Sequence, residues 1–155
     1  MAENWIFGDR EAEFLKELIR QKVDFMIVGL AAAALQGAPV VTQDVDLWFR
    51  DLADTGIAKA LKKVHGAYVP PMGHNPPMFA GDAVQLFDIV VRMHGLGAFE
   101  EEKEHLLKIP LGRFKVPVLK LERIIASKKA AGRDKDKLAM KVLRDALTAI
   151  QQREK

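Results

Sequence analysis

Apolar residues recur at helical spacing in DREAEFLKELIRQK (9–22). Phe14, Leu15, Leu18 and Ile19 share one face, and Asp9 stands where a helix N-cap would. The pattern then shortens. VDFMIVG (23–29) is an apolar run ending in glycine and predicts a buried strand. LAAAALQG (30–37) predicts a short alanine-rich helix closed by Gly37. DVDLWFR (44–50) predicts the next strand and LADTGIAKALKKV (52–64) the next helix. Four prolines and two glycines in VPPMGHNPPMFAGD (69–82) predict a loop, with a short strand at Met78–Ala80. AVQLFDIVVRM (83–93) predicts a longer strand, AFEEEKEHLLKI (98–109) a helix, and GRFKVPVL (112–119) an extended stretch. The remainder predicts two helices, 119–132 and 134–155, broken at Gly132 and restarted with Asp134 as cap. This order implies an α/β (α+β) fold, a mixed β-sheet flanked by helices with a helical C-terminal end.

A chain of 155 residues fits one domain, with its core at about 23–119 and its C-terminal helical part at about 119–155. It has no cysteine, which excludes disulfides and thiolate metal sites. The acidic opening MAENWIFGDREAEF lacks the basic and apolar regions of a signal peptide. The longest apolar run, FMIVGLAAAAL (25–35), is too short to span a bilayer. A cytoplasmic protein with no membrane contact is the expectation. The net charge of +3 is unevenly placed: residues 119–155 carry +6 and the rest −3. That basic end suits either phosphate or nucleic acid, or an ordinary solvated helix face.

Against this background, TQDVDLWF (42–49) is out of place. Asp44 and Asp46 interrupt an apolar strand, and residues two apart on a strand point to the same face. Two adjacent carboxylates repel unless a cation sits between them, and Mg²⁺ suits a sparse oxygen site. Asp88 interrupts a second apolar strand, LFDIVV, and can face the same place if the strands are neighbours. Three carboxylates on two strands can hold two metal ions about 3.5–4 Å apart, as phosphoryl and nucleotidyl transfer require. The pair Asp134 and Asp136 has the same spelling but lies at a helix start, where carboxylates cap free N–H groups. Gly29 ends one strand and opens a helix, a place where backbone can approach a phosphate. The four histidines show no metal-ligand spacing. Trp48 and Phe49 are each candidates for the core or for stacking on a base.

The stretches IVGLAAAALQGAP, TQDVDLWF, LFDIVV and ASKKAAGRDKD (126–136) together resemble the nucleotidyltransferase superfamily, over roughly residues 23–145. The likeness is to its small single-domain bacterial group related to abortive-infection toxins. The resemblance implies a polymerase-beta-like fold. It also implies Mg²⁺-dependent transfer of a nucleoside monophosphate from a nucleoside triphosphate to an acceptor hydroxyl on a protein, a tRNA or a small molecule. By the same resemblance, Asp44, Asp46 and Asp88 would be catalytic and hold two Mg²⁺ ions. Gly29 and Leu30 would meet the phosphates, and Lys128, Arg133 and Lys135 would contact them. A toxin–antitoxin pair with a cognate helical partner protein is a further implication. Two positions depart from the pattern: Leu30 replaces a small or hydroxyl residue, and Val40 an arginine. They leave open a catalytically silent binding or interaction module with the same fold.

Overall fold

The structure, a computed structural model, describes residues 7–154. The reading of the first six residues as no signal peptide, and the helix end at Lys155, lie outside the described residues. Five strands form one mixed sheet in the order β5-β2-β1-β7-β6. They are β1 (Phe25–Val28), β2 (Val45–Phe49), β5 (Phe87–Val90), β6 (Leu106–Leu111) and β7 (Phe114–Leu119). The hairpin β3 (Ala67–Val69) and β4 (Met78–Ala80) makes a separate two-stranded sheet. β1 is antiparallel to β2 and parallel to β7, and β2 is parallel to β5.

The two faces of the sheet receive different helices. On β2, Val45, Leu47 and Phe49 alternate with Asp46 and Trp48, as the pleat requires. Phe87, in register with Val45, packs against Phe14 of α1 (Asp9–Arg20), so α1 covers the first face. The second face carries Asp46 and Trp48. It lies under α2 (Gly29–Leu35) and α5 (Leu121–Ala131), which in turn packs on α6 (Asp134–Arg153). Trp48 is 1% exposed and meets Phe99 edge-on, while Phe49 is buried against Phe25 and Phe79. Both aromatics belong to the core. The buried apolar side chains form one contiguous cluster spanning both faces.

Several boundaries differ from the sequence reading. Residues 98–109 are not one helix. α4 (Phe99–Glu102) and a 3₁₀ turn (Lys103–His105) lead into β6. Local composition favours helix in FEEEKEH, but LLKIPL finds a ladder partner in β7, and that tertiary pairing decides its state. A two-residue turn at Gly112-Arg113 joins them, with Gly112 at φ 64. The strand expected over 83–93 is confined to β5, because residues 82–86 form a turn that buries Ala83 and Val84. α3 (Thr55–Lys63) starts later than expected, where Asp54 accepts from the Gly56 N–H at 2.8 Å. α1 and α6 begin at the aspartates expected to cap them, and Gly8 and Arg133 are the capping positions. β3 was not expected. It forms because the proline-rich segment closes back on itself at Met72 and Asn75. No helix among the described residues is long and apolar enough to cross a membrane.

Candidate active site

Gly29 and Asp46 interlock. Val28 is in register with Asp46 across the β1–β2 ladder, so the first residue of α2 lies beside that carboxylate. Gly29 has φ 70, and a Cβ there would stand 2.5 Å from Asp46 Oδ2. Only glycine satisfies both the backbone conformation and the carboxylate's approach. Asp46 is also in register with Asp88 on β5, as two aspartates on neighbouring strands should be if they serve one site. Burial, then the charge of Asp88, raises the Asp46 carboxyl above its ordinary range, and Lys128 and Lys135 partly offset this. Burial and the charge of Asp44 raise Asp88 in the same direction.

Asp44 sits one residue before β2 and is exposed. The Thr42 hydroxyl donates to its carbonyl at 2.8 Å and accepts from its N–H at 3.3 Å. Asp44 lines a shallow depression with Arg10, Glu11, Asp82 and Gln85, at the rim of the site rather than inside it. Its charge nonetheless acts on both Asp46 and Asp88.

The cleft over Asp46 has a volume of ≈ 230 Å³ and lies between the sheet, α5 and the segment after β5. Gly29, Asp46, Lys128 and Arg133 line it together, so residues separated by a hundred positions in sequence meet here. Leu30 is not among the lining residues. Its half-buried side chain packs on the core, as does Val40. Lys135 is exposed at the start of α6, and its charge reaches Asp46.

Asp136 organises the cations. It is 1% exposed and accepts from Arg133 Nε at 2.7 Å, from the Arg133 backbone N–H at 3.2 Å, and from Lys128 Nζ at 3.3 Å. These bonds, the Arg133 guanidinium first among them, hold its carboxyl at about 2. The helix-start role expected for Asp136 is therefore present, and the same carboxylate also fastens α5 to α6 below the cleft. The sharp turn between the helices depends on Gly132 at φ 62.

Sequence reasoning missed Arg92, His94 and Ser127, which also line the cleft. Arg92 falls at the end of the strand expected over 83–93 and His94 just beyond it, on a segment that is irregular in the structure. Ser127 lay within the quoted ASKKAAGRDKD stretch without a signal of its own. Arg92 has no ion-pair partner among the described residues.

The donor set for a metal is all carboxylate oxygen, which suits a hard cation. Among the described residues no three acidic or histidine side chains close into a ready-made cage. Mg²⁺ usually binds one or two carboxylates together with substrate phosphates, and the Asp46–Asp88 pair with Asp44 at the rim fits that habit.

Comparisons with protein-family models and with curated proteins gave no match. Solved structures did. The antibiotic-resistance factor ANT(2'')-Ia, in a crystal structure with adenylyl-2''-tobramycin, superposes with a TM-score of 0.58 at 14% identity. The match covers 90% of this chain and 88% of that one. Its solution structure gives a TM-score of 0.59 at 14% identity, covering 97% and 86% of the two chains. The mixed sheet, the helices on its two faces and the C-terminal helical pair are thus those of a known architecture: the chain has the nucleotidyltransferase fold.

Proposed function

We propose that the cleft binds a nucleoside triphosphate and transfers its nucleoside monophosphate to an acceptor hydroxyl. The observation that carries this is the meeting of Gly29 and Asp46, on one wall, with Lys128 and Arg133 on the other. Carboxylates that repel one another invite a cation, and cations held opposite them invite a polyanion. The adenylylated aminoglycoside bound to ANT(2'')-Ia is the product type this chemistry would make, and it supports the reading by analogy of fold.

In this reading the acceptor oxygen attacks the α-phosphorus, the bond to the bridging oxygen breaks, and pyrophosphate leaves. Asp46 and Asp88, with Asp44, would hold Mg²⁺, which neutralises charge on the reacting oxygens. Asp88, in register with Asp46 across β2 and β5, would accept the acceptor's proton. Lys128 and Arg133 offset the charge of the leaving phosphates. Arg133 keeps donors beyond the Nε and Nη2 groups spent on Asp136, and Lys128 keeps two of its three. Lys135 adds charge at the rim. Because Leu30 leaves the cleft clear, its lost hydroxyl removes a contact without blocking the site.

Isothermal titration of each Mg-nucleotide tests this. Binding to the native chain that disappears in Asp46→Asn is the expected result. No binding of any Mg-nucleotide would leave the catalytically silent module as the better reading.

A further inference from the structure

We propose that Ser127 is a self-modification site: the cleft transfers a nucleoside monophosphate to its own serine hydroxyl and is closed by the product. This rests on the nucleotidyl-transfer reading of the cleft. Among the described residues the buried polar side chains are Glu17, Glu102, Ser127 and Asp136. Three of them are satisfied by cations. Glu17 pairs with Arg20, Glu102 with Arg123, and Asp136 with Lys128 and Arg133. Ser127 is 5% exposed, and its hydroxyl has no hydrogen-bond partner among the described residues. A helical serine commonly returns its hydroxyl to a carbonyl three or four residues earlier, and Ser127 does not.

The unpaired Oγ opens on the cleft. No fully enclosed side-chain oxygen among the described residues lacks a partner, so this one reaches the cleft surface. Ile124, Ser127, Lys128 and Ala131 all line the cleft, and their spacing puts them on one face of α5. Ser127 is the only hydroxyl residue among the cleft's lining, and it shares that volume of ≈ 230 Å³ with Asp46. α5 is fastened on both sides of it. Arg123 donates from Nε and Nη2 to Glu102, each at 2.7 Å, and Lys128 donates to Asp136 at 3.3 Å. The facing segment is held as closely. The Gly97 N–H donates to Glu102 at 2.9 Å, and a Cβ on Gly95 would stand 2.3 Å from that of Ala130. A hydroxyl held this way needs no diffusional encounter and loses little freedom on reacting, an advantage over any acceptor that must first bind.

The step balances without a further reactant. Ser127 Oγ forms the bond to the α-phosphorus of the nucleoside triphosphate, the bond to the bridging oxygen breaks, and pyrophosphate leaves. The hydroxyl proton passes to Asp88. The resulting phosphodiester fills the space the next nucleotide would need, so the reaction stops after one turnover per chain.

The test is mass measurement of the intact chain and peptide mapping, before and after incubation with each Mg-nucleotide and no other acceptor. The expected result is a single nucleoside monophosphate adduct on Ser127, present on purification or formed at a rate independent of protein concentration. The adducted chain should no longer bind Mg-nucleotide in calorimetry. Ser127→Ala should form no adduct while melting as the native chain does, and Asp46→Asn should form none. Ser127→Cys introduces the only thiol into a chain without cysteine. A disulfide reagent should modify that thiol in the folded protein, and Mg-nucleotide should slow the modification severalfold, a readout that needs no turnover. Mg-nucleotide binding without an adduct, an adduct on another residue, or one that persists in Ser127→Ala would overturn the proposal and leave the cleft reading standing. A thiol that does not react, or that bound nucleotide does not protect, would overturn it as well. Failure of the adduct-free chain to bind any Mg-nucleotide would sink the cleft reading and the proposal with it.

Discussion

Gly29 and Asp46 make one unit, and each constrains what the other can be. In Gly29→Ala the added Cβ meets Asp46 Oδ2 in a left-handed backbone conformation. The expected loss is about 1–3 kcal/mol in denaturant unfolding. In an Asp46→Ala background part of that penalty should vanish, because the clash is gone and only the backbone strain remains. Asp46→Asn should act in opposite senses on stability and activity. The raised carboxyl means that ionisation works against the fold, so the variant should melt higher than the native chain at neutral pH without metal. That gain should shrink as pH falls from the raised Asp46 value towards the ordinary carboxylate value, by which point the native Asp46 has taken up its proton. Nucleotidyl transfer, in contrast, should fall by about three powers of ten, the worth of several kcal/mol of charge stabilisation. Asp136 has the reverse sign. Its carboxyl is depressed to about 2, so its stabilising contribution is complete above its ordinary 3.8 and is lost as pH falls from there through about 2. Asp136→Asn should remove that acid dependence from the unfolding curve and cost roughly 2 kcal/mol at neutral pH. Asp46 and Gly29 were legible in the sequence because a strand's alternation and a glycine's freedom are local properties. The grip of Asp136 on Lys128 was not, since it depends on the angle that Gly132 sets between two helices.

At the scale of elements, the strands that announce themselves by apolar runs, β1 and β2, were readable, and β6 was not. Its LLKIPL carries a lysine and a proline, both suited to a sheet edge, where a missing N–H harms nothing and charge discourages pairing with another chain. β7, by contrast, was expected as the extended stretch over 112–119 despite its Pro117. Pro117 lies opposite Lys108, and β7 touches β1 through a single registered pair, Ile27 with Val118. The junction of α2, β7 and α5 is held by one side chain. Gln36 donates to the carbonyls of Ala32 at 2.9 Å and Leu119 at 2.8 Å, and accepts from the Leu121 N–H at 2.8 Å. That clasp sets α5, which carries Lys128, against α2, which begins at Gly29. Gln36→Leu keeps the bulk and strips the bonds. It should cost about 1–3 kcal/mol, read in denaturant unfolding, and should weaken Mg-nucleotide binding although Gln36 lies outside the cleft.

For the whole molecule, the contiguous core joins both sheet faces. Thermal unfolding should therefore be a single cooperative transition, in keeping with one domain; two resolved transitions would contradict that expectation. Saturating Mg-nucleotide at a hundred times its dissociation constant should add about 2.7 kcal/mol and raise the melting temperature by about 5–10 °C. The charge asymmetry between the C-terminal segment and the rest was plain in composition alone. Which of those cations would line the cleft required the packing of α5 on α6.

The parallel pairing of β1 with β7 also sets an order of events during synthesis. Ile27 cannot meet Val118 until about ninety further residues have been made, an interval of roughly 5–20 s at ordinary translation speeds. Through that interval β1 has β2 on one side and an unfilled edge on the other. A ribosome-bound chain stalled before β7 should therefore be a protease-sensitive intermediate that exposes FMIV, and protection should arrive only once the β6–β7 hairpin has cleared the exit tunnel.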